Sequence, residues 1–422
     1  MLKKLRLERF KNFKEAELIV GNLTILVGKN ASGKSNIRDA FRFIHGISRG
    51  YSLAEIIGEK WIEGGVLQWR GIRGGTREVT FEGESTFALE AEFTIQDKHK
   101  LRDAAYRIEI NAGTTDREPQ VVAERLFVSG KGEFIFDSHP KSNPPRQDDP
   151  VHLNVRVRTV KPGRNPAVSF LNSRPIISQV IEHRNVQPSI QEIARLAILA
   201  FSSMRFLDLS PDAMRLPSLP GQTILGDRGE NLSSVLQSIC KDSQSKQTLL
   251  QWIEELTPMD AKDFEFIADI TGKILLTLVE ENGQKISAYS ASDGTLRFLA
   301  MIAALLGPQP ADLYFFEELE NGIHPTRLHL LLQLIERKVS GKNIQMVATT
   351  HSSQLLRLLS AESLEYASLT YRLENQPDAR IIRILDIPDA NRVIKEQNLG
   401  HLHESAWLEN VMEFLEDEEE IE

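Results

Sequence analysis

Residues 28–35 read Gly-Lys-Asn-Ala-Ser-Gly-Lys-Ser, and no other stretch constrains the chain as tightly. An apolar run, Leu23 to Val27, precedes it. From Asn36 to His45 the pattern turns helical, with Ile37, Phe41 and Ile44 on one face. Strand, glycine-bearing loop and helix in that order form a phosphate cradle. The glycines let the backbone fold tightly so that amide N–H groups face an anion, and the positive end of the helix dipole adds to the attraction. The spacing predicts that Lys34 bridges the β- and γ-phosphates of ATP and that the Ser35 hydroxyl ligates Mg²⁺. Gly28, Asn30, Ala31, Ser32 and Gly33 are the candidate loop contacts, with Asn36 at the helix start.

Three signals further along fit such a site. Leu313-Tyr-Phe-Phe316 reads as a buried strand and is followed by Glu317 and Glu318. The first carboxylate is expected near the metal, through water, and the second is placed to polarise an attacking water. A further apolar strand, Ile344 to Ala348, ends in Thr349-Thr350-His351. A histidine at a strand's carboxyl end can reach a γ-phosphate, because ligands of open α/β sheets collect there. Finally, Ser290-Ala-Ser292-Asp293-Gly294-Thr295 precedes the helical run Leu296 to Leu306. Small residues there give either a capped helix or a second anion-binding end, and both can hold together.

The rest of the chain divides coarsely. Residues 1–139 begin with an alternating strand and, past the loop and helix, carry strand patterns at Phe87 to Ile95, Tyr106 to Ile110 and Ala123 to Val128. These suggest an antiparallel sheet beside the phosphate loop. Six prolines fall between 138 and 166, leaving room for at most one short strand, Leu153 to Thr159. Residues 176–204 and 230–256 look helical, so 140–256 reads as a mainly helical insertion. Residues 257–422 return to strands, with Glu281-Asn-Gly283 as a hairpin turn, and then alternate strands with helices.

The order of these motifs resembles the ATP-binding-cassette ATPases, and within them the SMC/RecF-like branch. Leu7-Glu-Arg-Phe10-Lys-Asn-Phe13 looks like that branch's entry strand and turn, and Ala291-Ser-Asp-Gly-Thr295 like its signature. Glu317-Glu-Leu-Glu-Asn-Gly-Ile-His-Pro325 looks like its Walker B and D-loop, and Ala348-Thr-Thr-His-Ser-Ser353 like its His switch. The likeness is closest to stand-alone bacterial ATPases similar to the ATPase part of overcoming-lysogenisation nucleases and of anti-phage systems. It implies an α/β ATPase head with mixed and antiparallel sheets, flanking helices and a helical insertion. It implies a homodimer closed around ATP, in which Ser292 and Gly294 of one copy cap the γ-phosphate held by Lys34 of the other. It also implies contacts of Lys11 and Asn12 with the nucleotide, and a role for Gln68 at the metal and the attacking water. Glu317 stands where the family usually has Asp, and Asp293 and Thr295 where the common signature has Gly and Gln.

Charge and composition narrow the partners. The formal net charge is −9, and seven acidic residues without a basic one fall between Glu413 and Glu422. That tail reads as a solvated terminus or as a dock for a basic partner. Bulk charge does not announce nucleic acid, though DNA binding stays open. No apolar run is long enough to span a bilayer, and the single cysteine, Cys240, fits a reducing cytoplasm. The stretch after His351 is short for a nuclease domain, so any effector, such as a TOPRIM-type nuclease, is expected on a separate chain. A RecF-like DNA-repair ATPase and a non-hydrolytic nucleotide-dependent scaffold are the alternatives; the Phe10–Phe13 entry, the Glu320-Asn-Gly-Ile-His-Pro325 stretch and the mid-chain insertion argue against a transporter's ATPase subunit and a membrane partner. His401 and His403 read as a surface pair rather than a metal site.

Overall fold

The computed structural model describes the chain except for residues 115, 160–164, 257–260, 326–327, 341–343, 375 and 420–422. Pro162 and the last residues of the acidic tail therefore lie outside the described residues.

Five strands run parallel in one sheet, in the spatial order Met204–Leu207, Leu313–Phe316, Gln345–Thr350, Leu23–Val27 and Ala367–Arg372. Ala379–Arg383 closes the edge antiparallel. Leu23–Val27 is buried along its whole length. Leu26 enters one core, while Leu23, Ile25 and Val27 enter the other. Phe315 and Val347 follow Leu26, whereas Tyr314, Phe316, Met346 and Ala348 follow the second set. Burial on both faces is why these strands read as unbroken apolar runs instead of alternating.

The second large sheet has eight antiparallel strands. Its order is Ala167–Leu171, His152–Val157, Phe136–Asp137, Gln120–Val128, Lys100–Asn111, Thr86–Asp97, Leu2–Phe10 and Phe13–Ile19. Helix Lys34–Ser48 lies between the two sheets. Its Phe41 meets Phe315 of the parallel sheet at 5.8 Å between ring centroids, and its Phe43 meets Phe87 of the antiparallel sheet edge-on at 5.6 Å. The expected face of Ile37, Phe41 and Ile44 is thus only part of the buried surface, because both sides of the helix are covered.

The stretch 140–256 holds helices and strands together. His152–Val157 and Ala167–Leu171 extend the antiparallel sheet, and Met204–Leu207 is an edge of the parallel one. The helical reading of 176–204 narrows to Ile176–Val180 and Pro188–Ser202, with Pro188 opening the second helix. His152–Val157 is the short strand expected at Leu153 to Thr159, and the other two escape a propensity reading because they are short. Ala167–Leu171 buries only Val168 and Phe170, and Met204–Leu207 continues the apolar run of the preceding helix. Beyond it, Ala261–Ala268, Ile274–Glu280 and Lys285–Ser287 form a three-stranded sheet, with the expected turn at 281–284. Helices Asp293–Leu306 and Leu328–Ser340 cover the far face of the parallel sheet, and Trp407–Glu419 ends the described chain. Among the described residues no helix is long and apolar enough to cross a membrane.

Candidate functional site

Val27 pairs with Thr350 and Phe316 with Ala348 across neighbouring parallel strands. The loops that leave at Gly28, Glu317 and His351 therefore emerge side by side at the carboxyl edge of the sheet, where such folds bind ligands. They enclose a cleft of about 580 Å³. Asn30, Ala31, Gly33, Lys34, Ser35 and Asn36 line one wall, and Glu317, Glu318, Asn321, Thr349 and His351 line another. Arg73, Asp208 and Arg297 complete it.

The phosphate loop is held by its own backbone demands. Gly33 has φ +109°, and a Cβ there would stand 2.6 Å from the Phe13 ring, so only glycine fits. The loop is tied behind by Ser32, whose hydroxyl bonds Thr370 at 2.7 Å. Lys34 donates to the carbonyls of Gly28 and Lys29, the latter at 2.8 Å. Burial lowers the Lys34 pKa to about 8, opposed by the nearby charges of Glu318 and Glu320.

The two acids differ in setting. Glu317 accepts from Arg38 at 2.6 Å, an ion pair that is largely buried on both sides. Glu318 has φ +51°, an uncommon conformation for a residue with a side chain. Its N–H donates to the Thr349 hydroxyl at 2.9 Å, and its carboxylate accepts from the Asn321 amide at 3.1 Å. The His351 N–H donates to Glu320 at 2.8 Å. Burial lowers the His351 pKa, helped by the charge on Lys34, so the imidazole is neutral at pH 7. Ser35 and Glu317 offer hard oxygen donors in one cleft, a set that suits Mg²⁺. Among the described residues no group of three or more His, Cys, Asp or Glu forms a metal cage. A divalent ion held by Ser35 and Glu317 would need its remaining ligands from phosphates and water, as magnesium commonly does.

The family model described as "AAA domain, putative AbiEii toxin, Type IV TA system" matches residues 23–357. The chain belongs to this AAA-domain family. It is also 22% identical over 368 residues to a Helicobacter pylori protein named ATP/GTP phosphatase, covering 85% of this chain and 87% of that one. A match to Endonuclease MutS2 of Carboxydothermus hydrogenoformans is 28% identical over 151 residues, 35% of this chain and 18% of that one. A solved SMC head, bound to the C-winged helix domain of ScpA, aligns with a TM-score of 0.51 at 12% identity, covering 90% of this chain and 97% of that chain. The fold is that of an SMC-type head, and the chain is an ATPase of the AAA-domain type.

Several expected residues of this ATPase lie outside the cleft. Gly28 and Ser32 sit behind the loop. Lys11 is buried, donating to the Arg73 carbonyl and standing 3.6 Å from Asp39; burial lowers its pKa. Asn12 does not line the cleft but packs behind it, beside Gly33 and accepting from the Asn36 amide at 2.7 Å. Gln68 is exposed on the hairpin strand Val66–Arg70 and lines a neighbouring cavity instead. Strand alternation explains this, since the adjacent Trp69 packs inward on Tyr51 and turns Gln68 outward. Ser292 is exposed and caps its own helix, accepting from Thr295 N–H at 3.1 Å. Gly294 packs against backbone: a Cβ there would stand 1.9 Å from the Gly322 carbonyl oxygen.

Other cleft residues had no role in the sequence reading. Thr349 and Asn321 sit inside quoted motifs but carry no spacing signal of their own. Arg73, Asp208 and Arg297 lie in a glycine-rich turn, a loop and a helix face, and only the folded chain brings them to the phosphate loop.

Proposed function

We propose that this ATPase hydrolyses ATP with Mg²⁺ in the cleft between Lys34 and Glu318. The observation that carries the reading is the convergence of Lys34, Ser35, Glu317, Glu318 and His351 from three parallel strand ends on one cavity. The loop amides and Lys34 bind the phosphates, and Ser35 and Glu317 hold the metal, which neutralises charge on the transferred phosphoryl group. The Glu318 carboxylate accepts a proton from the attacking water, and Asn321 fixes its orientation. Neutral His351 donates a hydrogen bond toward the terminal phosphate.

We further propose that two copies meet around ATP. Ser292 is exposed and outside its own chain's cleft, which suits a contact with nucleotide held by a second copy. The dimer then switches a separate effector protein, a nuclease in phage defence; the solved SMC head that shares this fold is itself bound to a domain of another protein. Direct DNA binding by the dimer is the competing output, and a salt-dependent, ATP-dependent DNA affinity of the isolated chain distinguishes it.

Paired substitutions test the site. Lys34→Ala is expected to abolish ATP binding. Glu318→Gln is expected to bind ATP, turn over slowly and accumulate a dimer in size-exclusion chromatography with light scattering. Wild-type turnover by Glu318→Gln moves the base elsewhere, and tight ATP binding by Lys34→Ala removes the cleft from consideration.

A further inference from the structure

Three cations line the cleft, and two of them are engaged. Lys34 donates to loop carbonyls, and Arg73 donates to Asp39 at 3.1 Å and to Asn36 at 3.3 Å. Arg297 lines the same cleft and has no hydrogen-bond or ion-pair partner among the described residues. A guanidinium is always charged and offers a planar fork of donors that matches phosphate oxygens.

Its mounting is rigid. Arg297 sits on helix Asp293–Leu306, whose flanking residues Leu296, Phe298 and Leu299 are buried. The helix start is pressed backbone to backbone against Gly322 through Gly294, and the Arg297 stem rests on Gly322 as well. The residue before Gly322 is Asn321, whose amide holds Glu318. Arg297 therefore stands on the acid-loop side of the cleft, opposite the phosphate loop. A triphosphate seated on the loop amides extends its outermost phosphate toward that side.

We propose that Arg297 binds the terminal phosphate of the nucleotide held by its own chain's Lys34. It thereby couples occupancy of this chain's site to the helix that presents Ser292 to a second copy. The proposal rests on the reading that the cleft holds a nucleoside triphosphate. It differs from that reading in assigning part of the signature helix to the site in cis.

The test uses the full chain with Mg²⁺, fluorescent ADP and a fluorescent non-hydrolysable ATP analogue, in wild type, Arg297→Gln and Arg297→Lys. One lost charge-assisted contact predicts that Arg297→Gln binds the triphosphate about tenfold or more weakly, with ADP affinity unchanged. Arg297→Lys should recover part of the difference, and equal melting temperatures exclude misfolding as the cause. Unchanged triphosphate affinity in Arg297→Gln overturns the proposal, as does an equal loss for both nucleotides. If wild type binds neither nucleotide, the reading of the cleft fails with it.

Discussion

Gly294→Ala sets two effects against each other, and the structure decides between them. Gly294 is the second residue of helix Asp293–Leu306. By helix propensity alone, alanine there gains about 0.5–1 kcal/mol over glycine. Its added methyl, however, would lie 1.9 Å from the Gly322 carbonyl oxygen and 3.1 Å from the Gly322 carbonyl carbon. Both are backbone atoms, so no side chain can swing aside. Restoring van der Waals contact moves the helix start and the acid loop apart by more than an ångström. Forced overpacking of this kind costs about 1–3 kcal/mol, more than the propensity gain. The net expectation is a loss of about 1–2 kcal/mol.

The displaced loop carries Glu318 and Asn321, so the larger effect falls on turnover. A misplacement of about 1 Å in a catalytic constellation can cost on the order of 10²-fold. Phosphate release at saturating ATP should drop by that order, while binding of ATP to the loop amides and Lys34 persists. Melting temperature should fall by a few degrees at most in a chain of this length. If Gly294 served only to approach a phosphate on a second copy, the variant would keep its melting temperature and lose ATP-dependent dimerisation. Turnover within twofold of wild type, with an unchanged or raised melting temperature, refutes the close-packing argument.

Three further outcomes follow from charge. Burial holds the Lys34 pKa at about 8, and a bound triphosphate favours the charged form. Affinity for ATP is therefore expected to be level below pH 8 and to fall up to about tenfold per pH unit above it. Calorimetry near pH 8.5 in buffers of different ionisation enthalpy should detect proton uptake on binding; zero uptake counts against it. Arg38 competes with a metal for Glu317 across their 2.6 Å ion pair, so Arg38→Gln should lower the Mg²⁺ concentration needed for half-maximal ATP hydrolysis, and a raised requirement contradicts this. Glu124 is fully buried and accepts from Tyr106 and from the N–H groups of Ile176 and Ile177 at 2.6–3.0 Å; burial raises its pKa to about 7. Its contribution to stability is full below about pH 4.5 and lost as pH rises through about 7. Glu124→Gln strands one backbone donor, at about 1–3 kcal/mol, so melting at pH 5 should fall and the profile between pH 5 and 8 should flatten. A profile as steep as wild type's rules that out.

What could be read before folding was what is local. The phosphate loop is a run of eight residues whose strand and helix are its immediate neighbours, so pattern and chemistry coincide. The strands carrying Glu317 and His351 were legible because burial on both faces makes them apolar throughout. The position of Gln68 beside the cleft could not be read because its neighbourhood offers only a two-residue alternation, whose phase is set by Trp69 packing on Tyr51. Ala167–Leu171 was missed because Pro162 and Pro166 separate it in sequence from its sheet partner, His152–Val157. Arg73, Asp208 and Arg297 have no sequence signal, since a lone charged residue on a turn, loop or helix reads as solvated surface.

The same reasoning sharpens what the signature segment does. From sequence, Ser292 and Gly294 form one unit aimed at a second copy's nucleotide. In the folded chain they separate. Gly294 faces inward and fastens the helix to the loop holding Glu318, whereas Ser292 is exposed at the helix tip. A helix fixed to the acid loop through Gly294 and held at its start by Arg215, which bonds the Ala291 carbonyl and pairs with Asp293, can carry information both ways. Nucleotide in the chain's own cleft sets where Ser292 stands, and a partner engaging Ser292 pulls on the backbone next to Glu318. Coupling of this kind is reciprocal. If the two copies do close around ATP, a dimer-breaking change at Ser292 must also alter how each single chain holds its own ATP.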